Sequence, residues 1–168
     1  MTPLQPLRRR QFSAALAGGL GLPTLFLPAL AFAKSTALPV PASLAAAAQA
    51  AAARGEPLVL LVSLPGCPYC ELVRRSHLLP ARHESGLHAW QLNSTDKTTP
   101  LLGFAGLPTN AAAQTQQWKA TFTPTVLFFG SRGQEVAERL VGVAVPDFYG
   151  AYLQERLATA RKALAAPG

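Results

Sequence analysis

Six consecutive residues, Leu58 to Ser63 (LVLLVS), constrain this chain more than any other stretch. The run stays apolar up to its last residue, and Gly55 and Pro65 bracket it too closely for a helix. A strand with one wet face would alternate. A continuous apolar run is a strand covered on both faces, the centre of a layered α/β sheet. Directly after it comes Leu64-Pro65-Gly66-Cys67-Pro68-Tyr69-Cys70, which holds the only two cysteines of the chain.

The neighbouring segments build an alternation around that strand. Ser43 to Arg54 (SLAAAAQAAAAR) contains neither proline nor glycine and is a helix by propensity, ended by Gly55. Cys70 to Leu79 is helical and is expected to stop at Pro80. His88 to Leu92 alternates and is expected as a strand, whereas Asn93 to Thr109 has the prolines and glycines of a loop. Asn110 to Ala120 is expected as a helix and Thr125 to Phe129 (TVLFF) as a second buried strand. The turn Ser131-Arg132-Gly133 leads into a strand over Gln134 to Val141, completing a hairpin. Pro146 to Ala165 closes the chain as an amphipathic helix with Phe148, Tyr152, Leu153 and Leu157 on one stripe. The order joins a βαβ half to a ββα half, and implies an α/β fold with a central mixed sheet flanked by helices.

The first 33 residues have a different character. Arg8, Arg9 and Arg10 precede a mostly apolar, acid-free stretch from Phe12 to Ala33, which closes on Ala31-Phe32-Ala33. This is the layout of a cleavable export signal, and Arg9-Arg10-Gln11-Phe12 resembles the twin-arginine type. The competing reading is a retained membrane anchor, which the glycines and prolines of the stretch disfavour. Residues 34–41 are then expected as a tether and 42–168 as one domain, and the signal implies the periplasm of a Gram-negative bacterium, where disulfides persist. Without the signal, the formal charge falls from +7 to about +4. The remaining bases are scattered and not interleaved with aromatics, so nucleic acid is not an expected partner.

The placement of the cysteines has chemical content. The end of a buried strand and the start of a helix present unpaired N–H groups and about half a positive charge, which stabilise a thiolate. Pro68 suits a first helical turn, where a missing N–H costs nothing. Cys70 lies nearly one turn further on. Cys67 is therefore the expected exposed nucleophile and Cys70 the buried thiol that resolves a mixed disulfide.

Two motifs in this order, GCPYC after LVLLVS and FTPTVLFF more than fifty residues later, resemble the thioredoxin superfamily over roughly residues 42 to 165. The resemblance implies a thioredoxin fold and a thiol:disulfide oxidoreductase that exchanges disulfides with protein substrates. It needs no bound cofactor and draws on a membrane redox partner. It further implies that Pro124 is a cis-proline facing the cysteines and that Thr123 pairs with an extended substrate by strand addition. Gly142 matches a glycine near the active site, and Pro68-Tyr69 matches the dipeptide of glutaredoxins and a periplasmic isomerase. The chain departs from thioredoxin proper at Gly66, where a tryptophan is usual, and at Leu61, where a buried acid is usual. Glu71 is expected in a solvated pair with Arg75. The short, alanine-rich segment before the first strand offers little dimer interface, so a monomer is expected.

A second class of function is a zinc module, because Cys67-x2-Cys70-x12-His83-x4-His88 has two-Cys, two-His spacing. Against it, the cysteines open a helix and do not sit on a hairpin, and Gly86 separates the histidines. A structural staple is the third reading of the pair, although so small a loop adds little stability.

Overall fold

The computed structural model describes residues 36–166; the export signal expected over residues 1–33 lies outside them. Four strands form a mixed sheet in the order β2-β1-β5-β6, with β1 (Leu58–Ser63), β2 (Ala89–Asn93), β5 (Thr125–Phe129) and β6 (Leu140–Val141). β1 runs parallel to β2 and antiparallel to β5, and β6 is antiparallel to β5. All six residues of β1 are buried. Its side chains alternate between two cores, as strand geometry requires. Val59 and Leu61 join Val126 and Phe128 on one face, and Leu58, Leu60 and Val62 join Leu127 and Phe129 on the other.

Helices cover both faces. α1 (Leu44–Ala52) lays Leu44, Ala47, Ala48 and Ala51 into the second core, together with Ala111 of α4 (Ala111–Gln117). Ser43 and Asn110 cap these helices through their side-chain oxygens. The first core receives Val73 of α2 (Pro68–Val73), Leu79 of α3 (Leu79–Glu84), and Tyr149, Leu153, Leu157 and Ala160 of α5 (Tyr149–Ala165). The apolar stripe of α5 therefore starts at Tyr149. Phe148 and Tyr152, expected on it, are 60% and 42% exposed, because a 3₁₀ turn over Pro146–Phe148 rotates the entry to the helix.

Three further departures from expectation have local causes. The helix does not stop at Pro80. A π-helical turn over Arg74–Leu78, in which the Leu79 N–H donates to the Arg74 carbonyl, widens the ladder where the proline ring would otherwise crowd the preceding turn. The expected strand over Gln134 to Val141 pairs only at Leu140–Val141, with one isolated bridge from Phe129 to Glu135. Between them the chain leaves the ladder, burying Ala137 and turning Arg139 back to the Trp118 carbonyl at 2.9 Å. The loop from Asn93 to Thr109 contains a two-stranded ladder of β3 (Leu101–Leu102) and β4 (Pro108–Thr109).

The described part of the expected tether is docked. Leu38 is 2% exposed in the first core, and the Gln91 N–H donates to the Pro39 carbonyl at 3.0 Å. A leucine in a preformed apolar gap outweighs the ordering of a few residues.

Two histidines couple this packing to pH. His77 lies against the Tyr149 ring, 5.0 Å between centroids, and burial pushes its pKa down. His88 is pushed down by burial and then by Arg54 and Arg82, against a smaller opposing effect of Glu56. With folded values below the ordinary 6.5, the unfolded chain takes up protons first. The stabilisation from both is full above about pH 6.5 and is lost as pH falls toward the folded values. Thermal unfolding should show a lower midpoint at pH 5.5 than at 7.5. The doubly substituted His77→Gln, His88→Gln protein should show a smaller drop; an equal drop in both proteins would exclude these side chains as the cause.

Candidate active site

The end of β1 delivers the chain to a left-handed turn at Gly66, φ 74°. A side chain there would be strained, which accounts for glycine where thioredoxin proper has tryptophan. Cys67 follows as the N-cap of α2, and Pro68 occupies the first helical turn. The Cys67 sulfur accepts a hydrogen bond from the Cys70 N–H at 3.1 Å, so it sits where the free amides of the helix converge. Cys67 and Cys70 are joined by a disulfide with Cα atoms 5.2 Å apart. The two sulfurs are not equivalent: Cys67 is partly exposed and Cys70 is fully buried.

Fifty-six residues on, the loop before β5 lies against this pair. The Thr123–Pro124 peptide bond is cis, and the Thr123 hydroxyl is 4.0 Å from the Cys67 sulfur. Among the described residues, the backbone N–H and C=O of Thr123 have no hydrogen-bond partner. The loop is fixed from both sides. The Thr125 hydroxyl donates to the Phe122 carbonyl at 2.7 Å, and the Gly142 N–H donates to the Pro124 carbonyl at 2.8 Å. At Gly142, φ 69°, a Cβ atom would come within 3.2 Å of the Phe122 ring, so glycine leaves room for that aromatic beside the end of β6. Tyr69, Phe122 and Val141 are each more than half exposed.

Beneath the pair lies a polar network that sequence reasoning missed. Arg74, one turn beyond Cys70, is 9% exposed. Its guanidinium donates to the Ser63 hydroxyl at 2.9 Å, to the Gln91 side-chain carbonyl at 2.7 Å and to the Glu71 carboxylate. Glu71 also pairs with Arg75 at 3.1 Å, the expected partner, but Arg74 is the stronger influence. Its hydrogen bond is the main cause that holds the Glu71 carboxyl below the usual carboxylate range. A cation thus ties β1, β2 and α2 together near the redox pair, in a protein that has Leu61 where the buried acid of thioredoxin would stand. Adjacent arginines usually mean a solvated helix face, and nothing local marks Arg74 as the buried one.

The zinc set is not assembled. His83 is exposed near the end of α3, about 20 Å along the helical segment from the cysteines at 1.5 Å per residue. With His88 it lines a separate cleft shared with Arg54 and Arg82. Among the described residues no three His, Cys, Asp or Glu side chains lie close enough to share a metal ion.

The Thioredoxin-like domain family matches residues 44–156, and the chain belongs to it. With a Cys-x-x-Cys disulfide at the strand–helix junction of this fold, it is by class a thiol:disulfide oxidoreductase. Solved structures of similar shape include mitochondrial thioredoxin 3 from Saccharomyces cerevisiae, at 13% identity and TM-score 0.47, covering 72% of this chain and 93% of the other. Another is the periplasmic thioredoxin SoxS from Paracoccus pantotrophus, at 20% identity and TM-score 0.42, covering 62% and 99%. A thioredoxin-fold protein from Helicobacter pylori matches at 18% identity and TM-score 0.42, covering 66% and 83%. A comparison with curated proteins finds no match.

Proposed function

We propose that this protein exchanges disulfides with exported protein substrates, with Cys67 as the attacking thiol and Cys70 as the resolving one. The observation that carries this reading is the asymmetry of the pair. One sulfur is partly exposed at a helix tip beside the unpaired backbone of Thr123, and the other is buried one turn behind it.

In the reducing direction the Cys67 thiolate attacks one sulfur of a substrate disulfide. A Cys67–substrate bond forms, and the other substrate sulfur leaves with the electron pair and takes up a proton. Deprotonated Cys70 then attacks the Cys67 sulfur, forming the intramolecular disulfide and releasing the second substrate thiolate. The substrate leaves reduced by two electrons and the protein leaves oxidised; the oxidising direction is the reverse. The helix N-terminus stabilises the Cys67 thiolate, which makes it both the attacking form at neutral pH and a good leaving group. Thr123 and Pro124 bind the substrate, Thr123 through the strand-addition bonds its free N–H and C=O can make. Tyr69, Phe122 and Val141 give the substrate an apolar rim.

The N-terminal residues support a setting for this chemistry. Arg9-Arg10 followed by an acid-free apolar stretch and Ala31-Phe32-Ala33 fits a twin-arginine-type signal, cleaved before Lys34, with a periplasmic domain beyond it. Among the described residues no helix is long and apolar enough to cross a membrane. A membrane thiol carrier or oxidase would then reset the pair, and the domain would act as a monomer. Reduction of insulin under dithiothreitol tests the activity. Fractionation of cells expressing the full chain tests the setting, with the product expected in the periplasm starting near Lys34. An Arg9→Lys, Arg10→Lys variant should stay inside the cell. Cytoplasmic accumulation of the unaltered chain would sink the export reading.

A further inference from the structure

On the α4 side of the Cys67 sulfur the surface opens into a groove of about 420 Å³. Thr123, whose hydroxyl faces that sulfur at 4.0 Å, and Leu64, whose carbonyl accepts the Cys67 N–H, form its near wall. The loop after β2 supplies Ser94 and Lys97, α4 supplies Gln116, and Thr121 closes the side toward the cis-proline loop. Among the described residues, the side chains of Ser94, Gln116 and Thr121 make no hydrogen bond, and Lys97 makes no ion pair. The carboxylate next to Lys97 in the chain, that of Asp96, lines a separate cleft with Arg74 and Gln91 and makes no ion pair with it. Asp96 is engaged by the backbone N–H groups of Thr98 and Thr99 at 2.9 and 3.0 Å and by the Thr98 hydroxyl.

The groove therefore offers uncommitted donors and a cation in the same cleft as Thr123, whose hydroxyl is 4.0 Å from the Cys67 sulfur. The opposite rim, with Phe122 and Val141, is apolar. A substrate chain laid along Thr123 in extended form advances about 3.3 Å per residue. A residue within a few positions of its cysteine, on the groove side, falls within reach of the flexible Lys97 side chain.

We propose that this groove selects substrates that carry an acidic side chain close to the target cysteine. The carboxylate is received by Lys97 and by the free hydroxyl and amide groups of Ser94, Thr121 and Gln116. The inference rests on the assignment of Cys67 as the attacking thiol and of Thr123 as the substrate-pairing residue. It adds a sequence preference to a thiol that would otherwise accept any accessible disulfide.

The test uses reduced full-length Cys70→Ser protein and short synthetic peptides, each carrying one cysteine as a 2-thiopyridyl disulfide. Attack by Cys67 joins the peptide sulfur to Cys67 and releases 2-thiopyridone, whose appearance gives the rate. Peptides with Glu, Gln or Lys within three residues of the cysteine are compared on both sides. Glu is expected to react about two- to five-fold faster than Gln at low salt, the range for an exposed ion pair, and Lys slower than Gln. The advantage should shrink as salt is raised. It should vanish in Lys97→Gln, an exposed substitution that leaves the fold intact, and Lys97→Glu should prefer the Lys peptide. Equal rates for Glu, Gln and Lys peptides with the unaltered groove would overturn the proposal while leaving Cys67 as the nucleophile. Failure of every peptide to join Cys67 would overturn the assignment beneath it.

Discussion

Cys70→Ser protein, expressed in cells or mixed with oxidised protein substrates, is expected to accumulate mixed disulfides, whereas Cys67→Ser protein is expected to form none and to be inactive. The effect should be close to all-or-none, because the two positions do different things. Cys67 is partly exposed and its sulfur meets the amides at the tip of α2, so it can be reached and ionised. Cys70 is fully buried, out of reach of a substrate sulfur, and the task proposed for it is the intramolecular attack that ends the encounter. Non-reducing gels with and without later reduction show the trapped species. Trapping by Cys67→Ser, or insulin reduction by it, would reverse the assignment.

Replacing Arg74 should cost stability on a scale unusual for an arginine. Arg74→Met keeps the apolar stem but removes the donors that serve the Ser63 hydroxyl, the Gln91 carbonyl and the Glu71 carboxylate. Glu71, whose side chain is 47% exposed, can turn to water, but Ser63 is 5% exposed and cannot. Orphaned buried groups of this kind cost about 1–3 kcal/mol each, so a loss of about 2–3 kcal/mol in urea unfolding is expected. Glu71→Gln should cost less than about 1 kcal/mol, since its pairs are partly solvated. A silent Arg74→Met would mean that the packing of β1 against α2 and β2 does not depend on this network.

The parts of the fold and site that could be anticipated are those written in adjacent residues. The run LVLLVS declares a strand covered on both faces, and a proline between two cysteines declares a helix start. Thr123-Pro124 before TVLFF marks the opposing loop only through its resemblance to a known family. What could not be anticipated depends on residues brought together from afar. Arg74 and Arg75 look alike in sequence. Arg74 is buried because Ser63 and Gln91, eleven and seventeen positions away, converge on it. The helix passes Pro80 because a π-turn absorbs the missing N–H, and no side-chain pattern announces such a turn. The α5 stripe begins one residue later than its periodicity suggests, since Pro146 opens a 3₁₀ turn that shifts the register. Ser94, Lys97 and Gln116 carry no shared motif, and they meet in one groove only because the loop after β2 folds against α4.

The central claim is that Cys67 and Cys70 form a working redox couple and not a staple. The equilibrium between reduced and oxidised protein in glutathione buffers of graded ratio, read by quantitative alkylation of the two thiols, tests it most directly. A couple used for exchange should titrate at a potential between about −270 and −120 mV, the span of thioredoxin-like oxidoreductases. A disulfide that stays closed across the whole glutathione range, with a potential below about −300 mV, would mark it as structural and contradict the account.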